Sequence, residues 1–150
     1  LQRSKSYKED ASDDKKEEFR NAVKKYVRGL VEKYYCNGVD EKQHVKNIEE
    51  LCNWASREYG DILNDGRLRI GVGQKILNLY LKYLWCLNKV ALPPHCPIDR
   101  GIASIIDNKS SINWTKLDDI SDYKNLIEKA KKKTNSKSLA EWELETYSRK

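Results

Sequence analysis

Methionine is absent from all 150 residues, position 1 included, which points to sequence missing upstream of Leu1. Phe19 is the one phenylalanine, against four tryptophans and nine tyrosines, so ring packing falls largely to side chains that carry a polar handle. The three prolines, Pro93, Pro94 and Pro97, sit in one short segment, leaving long stretches on either side free to be helical. No apolar run approaches the roughly 20 residues that a membrane-spanning helix needs, and no secretory leader is visible. Cys36, Cys52, Cys86 and Cys96 lack the close pair spacing of metal sites, and with His44 and His95 nearby they still form no ligand pair such as C-x2-C. The thiols therefore read as reduced, the compartment as cytoplasmic, and no metal or cofactor is expected. There is no strand-like alternation of useful length and no internal repeat.

What is present is charge and helical periodicity. The chain carries 29 Lys+Arg against 23 Asp+Glu, a net charge of +6, with 39% apolar residues. That balance favours a polyanionic partner, and the apolar content suffices for one core. The expected fold is all-α: a compact multi-helix domain over residues 15–150, preceded by a loose polar tail or linker end at 1–14, and monomeric. Phe19, Val23, Val27, Leu30, Val31 and Tyr34 recur at helical spacing over 15–35, and Asn37-Gly38 ends that helix. Asp40 caps a second helix that carries Val45, Ile48, Leu51, Cys52, Ala55 and Tyr59 on one face and closes near Leu63. From Ile76 to Leu87 only Asn78 and Lys82 interrupt apolar residues, which predicts a helix buried nearly all round. After the prolines come a short helix over 100–106 opened by Asp99, a loop at 108–113 and a helix capped by Ser121 or Asp122 that runs to about Lys133. A last helix spans 138–147, with Trp142 docked on the body.

Chemistry concentrates at Gly71-Val72-Gly73-Gln74-Lys75. Glycines at 71 and 73 can take positive φ and let backbone N–H groups approach an anion. A helix starting at Gly73 or Gln74 would add the positive end of its dipole, a setting suited to a DNA phosphate. Lys75 in that first turn is anomalous unless an anion or a chemical task rewards it. Arg69 flanks the turn, and Asp99 and Arg100 follow the stiff proline segment. Trp114, in a loop, is a candidate for stacking on a base. The lysines at 129, 131, 132, 133 and 137 form a second basic run, read either as a phosphate contact or as a solvated helix face.

These residues resemble the helix-hairpin-helix DNA glycosylases, whose hairpin reads Gly-apolar-Gly-x-Lys and whose aspartate follows in an apolar-Asp segment, here Ile98-Asp99. Within that family the archaeal 8-oxoguanine glycosylases, which lack an iron–sulfur cluster, are nearest in flavour. The resemblance covers residues 68–106. It implies a protein of base-excision repair that cleaves the N-glycosidic bond of a damaged base in duplex DNA. Lys75 would be the nucleophile of a Schiff-base lyase step and Asp99 the carboxylate supporting the charge on the sugar. Gly71, Val72, Gly73, Gln74, Arg69 and Arg100 would hold the DNA. Two other readings fit the same residues: a non-catalytic helix-hairpin-helix DNA-binding module in which Asp99 only caps its helix, and a helical interaction domain that touches no nucleic acid.

Overall fold

The computed structural model describes residues 1, 4–107 and 113–148. Among them the regular structure is helical: α1 (Asp13–Tyr34), α2 (Glu41–Tyr59), α3 (Ile70–Cys86), α4 (Arg100–Ile106), α5 (Ile120–Lys131) and α6 (Leu139–Ser148), with 3-10 turns at Asn64–Gly66 and Trp114–Lys116. None of these helices is long and apolar enough to cross a membrane.

Local chemistry explains the boundaries. The Ser12 side chain accepts from the Lys15 N–H at 3.2 Å and Asp40 from that of Gln43 at 2.7 Å, so α1 and α2 each start on an oxygen that satisfies a first-turn donor. Gly38, at φ +92, turns the chain between them. Asp99 caps α4 through the Ile102 N–H at 2.9 Å, as the sequence predicts. Asp119, two residues before Ser121 and three before Asp122, the expected caps, caps α5 through the Ser121 N–H at 2.7 Å.

The periodic residues meet in one core. Phe19, Val23 and Val27 of α1 pack with Ile48, Leu51 and Ala55 of α2, Leu77 and Leu81 of α3, and Ile102, Tyr123 and Ile127 beyond. α3 lies against α2, α5 and the 3-10 turn at Trp114–Lys116. α6 is tied to α3 by Lys82, whose ammonium is 3.0 and 2.9 Å from the two oxygens of the nearly inaccessible Glu143 carboxylate.

Three sequence expectations are corrected. α3 starts at Ile70, earlier than Gly73, because the glycines adopt helical backbone rather than a turn. α3 is also not buried all round: Tyr83 is 60% exposed, and Leu87, just past its last residue, is 64% exposed. Residues 6 to 8, within the segment expected to be loose, contact the body. Ser6 is buried, Tyr7 bridges to Leu63, the Lys8 N–H donates to the Ile62 carbonyl at 3.0 Å and the Asn64 N–H to the Ser6 carbonyl at 2.8 Å. The expected loop at 108–113 lies, except for Asn113, outside the described residues.

Candidate functional site

Residues 70 to 74 are all buried. A Cβ at Gly71 would overlap the Trp114 carbonyl oxygen, and one at Gly73 would overlap the Cys52 sulfur. The glycines thus serve close packing of α3 against the 113–118 segment and α2, not a left-handed turn. Their donors have protein partners. The Gly71 N–H donates to the Leu117 carbonyl at 2.7 Å, those of Val72 and Gly73 to the Arg69 carbonyl at 3.1 and 2.9 Å, and that of Ile70 to Asp118 Oδ1 at 3.4 Å. The Asp118 carboxylate stands where the helix dipole would attract a phosphate, and Arg67 holds it there through two bonds of 2.8 and 3.1 Å. The expected hairpin with bare N–H groups is therefore replaced by a buried first helical turn.

Gly71→Ala should destabilise the fold by about 1–3 kcal/mol through overpacking, and more than Gly73→Ala, because a backbone carbonyl yields less than a side-chain sulfur. Urea unfolding midpoints check this. An unshifted midpoint for Gly71→Ala would contradict the packing role.

The other sequence candidates disperse. Gln74 is buried, its amide donating to the carbonyls of Ile98 (2.7 Å) and Gly71 (2.9 Å) and its oxygen accepting from the Ile98 N–H at 3.1 Å. Arg69 pairs with Asp65, and Arg100 is exposed at the start of α4. In the C-terminal basic run Lys129 pairs with Asp107 at 3.1 Å, Lys131 with Glu41 at 2.7 Å and with Glu128 at 3.2 Å, and Lys137 with Glu145. Much of its charge is locally compensated.

Lys75 and Trp114, by contrast, come together. The Lys75 ammonium lies 4.5 Å from the centroid of the Trp114 ring, a cation–π contact. Both line a cavity of about 570 Å³ whose walls include Arg20, Val72, Ile76 and Leu79. That volume is in the range of small-ligand sites. Asp99 is not part of this lining and, among the described residues, makes no ion pair with Lys75; its carboxylate is engaged at the α4 cap. No direct Lys75–Asp99 ion pair is therefore present among the described residues, and the Lys75 ammonium lies over an indole face.

A second constellation escaped the sequence reading. Glu41, at the start of α2, accepts from His95 Nε2 at 3.0 Å and from the Lys131 ammonium at 2.7 Å. These partners, the His95 hydrogen bond first, hold its carboxyl down at about 2. An ionised carboxylate can only accept, so His95 Nε2 carries the proton and Nδ1 accepts the Tyr123 hydroxyl at 2.7 Å. The Tyr123 oxygen then accepts from Asn78 Nδ2 at 3.3 Å. Asn78 Oδ1 accepts His44 Nε2–H at 2.8 Å. His44 Nδ1 accepts the Tyr35 hydroxyl at 2.7 Å, and the Tyr35 oxygen accepts from Asn47 Nδ2 at 3.0 Å. Gln43 Nε2 closes the series on Asn47 Oδ1 at 2.8 Å. Every donor points the same way, and both histidines are neutral: burial, chiefly, pushes His44 down to about 3 and lowers His95. Because both ring nitrogens of each histidine are used, neither is a free base. The chain braces α1, α2, α3, α5 and the proline segment against one another. Its one trace in the sequence is polar residues at core positions, Asn78 in the apolar stretch of α3 and His44 and Asn47 among the apolar positions of α2.

Scans against protein-family models, curated proteins and solved structures match nothing. Among the described residues no group of His, Cys, Asp or Glu is placed to hold a metal ion. What fold and geometry define is an all-α domain with a cavity in which Lys75, Arg20 and Trp114 stand among Leu1, Ser4, Val72, Ile76 and Leu79.

Proposed function

We propose that the protein binds DNA through the cavity between Lys75, Arg20 and Trp114, taking an unstacked base against the indole and the adjoining phosphates on the two cations. The observation that carries this reading is the Lys75 ammonium held 4.5 Å over the Trp114 ring in a cavity that also has Arg20 in its wall. Aromatic faces stack any base, and cations beside them track the backbone. A base turned out of the duplex would reach the ring by displacing the Lys75 ammonium toward the phosphate.

The DNA-glycosylase reading implied by the family resemblance is the second one. It is favoured by a lysine amine at the wall of a base-sized cavity. In it the Lys75 nitrogen forms a bond to the anomeric carbon as the N-glycosidic bond breaks, the base leaves with the electron pair and takes up the proton that the nitrogen releases, and the resulting adduct opens to a Schiff base. Asp99 lies outside that cavity, so the binding reading stands first.

Fluorescence anisotropy with single-stranded and lesion-bearing duplex DNA tests binding. Trp114→Ala and Lys75→Gln should each weaken it by roughly tenfold, the loss of one stacked base or one phosphate contact. Steeper salt dependence in the parent than in Lys75→Gln is expected as well. Unchanged affinity in the double variant would remove the cavity from the interface, and no binding by the parent would leave a helical protein-interaction domain. Borohydride trapping separates catalysis from binding: a nucleophilic Lys75 gives a trapped adduct that is lost in both Lys75→Gln and Lys75→Arg, while Lys75→Arg keeps most of the binding.

A further inference from the structure

Glycine is, after proline, the poorest residue for a helix interior, yet Gly29 stands inside α1 (Asp13–Tyr34), exposed to solvent. Packing gives no reason for it: a Cβ at Gly29 would meet nothing within 4 Å. Nor is its φ in the left-handed region. What surrounds it is a groove of about 500 Å³ with Tyr26, Tyr34 and Trp54 in its walls, Lys25 and Lys33 at its margin, and Glu50 opposite. Tyr26 and Trp54 are stacked, centroids 4.4 Å apart and planes at 19°, and the Lys33 ammonium lies 5.0 Å over the Tyr34 ring. The groove is therefore bordered by aromatic side chains, with an opening that a side chain at 29 would narrow.

The charge of α1 is arranged to match. Between Glu18 and Glu32 it carries Arg20, Lys24, Lys25 and Arg28 and no acid. Among the described residues none of these four is within ion-pair distance of a carboxylate. Arg20 lines the Lys75–Trp114 cavity and Lys25 the Gly29 groove. They are five positions apart, which is about 7.5 Å along the helix axis. Lys24 and Arg28 lie exposed on the ridge between.

We propose that the Gly29 groove is a second base-binding subsite, and that a single-stranded segment of nucleic acid crosses α1 from it to the Lys75–Trp114 cavity with its phosphates on Arg20, Lys24, Lys25 and Arg28. The inference rests on the binding function proposed above and adds to it the form of the ligand: unpaired bases, since stacking on both aromatic sites requires bases out of the duplex. On the α2 side Glu50 is paired with Lys46 at 3.9 Å and adds no net positive charge, so the backbone follows the cations of α1. An acidic protein segment would use the cations but would make no use of the aromatic border beside the open glycine.

The test is anisotropy with labelled oligothymidylates of about 4 and about 12 nucleotides, on the parent, Gly29→Ala, Gly29→Leu and Lys75→Gln. The longer strand should bind the parent more tightly than the shorter. Gly29→Ala should raise the thermal midpoint, since it removes a helix-interior glycine without a clash. Gly29→Leu should fold as the parent does and weaken the longer strand by roughly tenfold, about 1.4 kcal/mol, while the shorter strand, held at the Lys75 cavity, is unaffected. Parent-like binding of the longer strand by Gly29→Leu overturns the proposal, as does an equal loss for both lengths. Competition by polyglutamate that Gly29→Leu abolishes, with oligonucleotide binding intact, overturns it in favour of a protein partner. If Lys75→Gln leaves both lengths unchanged while Gly29→Leu still weakens the longer one, the Lys75 cavity fails and the groove stands. No oligonucleotide binding by the parent removes both.

Discussion

Stability should fall by roughly 2–4 kcal/mol between about pH 7.5 and about pH 5, a far steeper acid loss than surface ion pairs produce. The cause is the pair of buried neutral histidines. His44 is held at about 3 and His95 below its ordinary 6.5, in both cases chiefly by burial. In the unfolded chain both take up a proton near pH 6.5, whereas in the folded chain His44 stays neutral to about 3 and His95 takes up its proton only below its ordinary value. Between those limits the unfolded state binds more protons, so stability is complete above the unfolded value and declines as pH falls, by up to about 1.4 kcal/mol per pH unit for each ring. Protonating His95 would turn Nδ1 from acceptor to donor against the Tyr123 hydroxyl, while Glu41, Lys131 and Glu128 face it from the surface side. Glu41, down at about 2, works in the same direction below its ordinary 4.5. Urea midpoints measured across this range check the slope. A flat profile would mean that the rings are not buried neutral.

Asn78→Ala is expected to cost about 2–4 kcal/mol. The substitution leaves His44 Nε2–H without an acceptor and removes the donor to the Tyr123 oxygen, in a place where neither has solvent to turn to: Asn78 is 1% and His44 0% exposed. An orphaned buried donor costs about 1–3 kcal/mol, and the void left in α3 adds to that. Tyr123→Phe should cost less, because it removes donor and acceptor together yet leaves His95 Nδ1 unpaired. Chemical denaturation of the two variants orders them. Equal stability of Asn78→Ala and the parent would show that the chain is not continuous through α3.

The helices were legible because each is set by chemistry local to a few turns. Phe19, Val23 and Val27 mark α1 by spacing alone, and Pro97 followed by Asp99 fixes α4 to the residue. The start of α3 was not legible. Glycine pairs signal positive φ and close approach with the same letters, and only the overlap of Gly71 with the Trp114 carbonyl and of Gly73 with the Cys52 sulfur tells which applies. Lys75 and Trp114 were each picked out for their chemistry, but their meeting depends on how the 113–118 segment folds back on α3. The buried polar chain was least legible, since its links join residues such as His44 and Asn78 that are 34 positions apart, and no local pattern encodes a contact of that kind.

The one-way run of that chain from Gln43 to Glu41 constrains how such a protein can change over generations. Reversing or deleting a single member leaves its neighbours facing donor to donor or acceptor to acceptor. Gln43, Asn47, Tyr35, His44, Asn78, Tyr123, His95 and Glu41 should therefore be inherited as one unit, kept together or replaced together by apolar residues. In any set of descendants of this chain, the eight positions should covary more tightly than equally buried aliphatic residues such as Leu51 and Leu77.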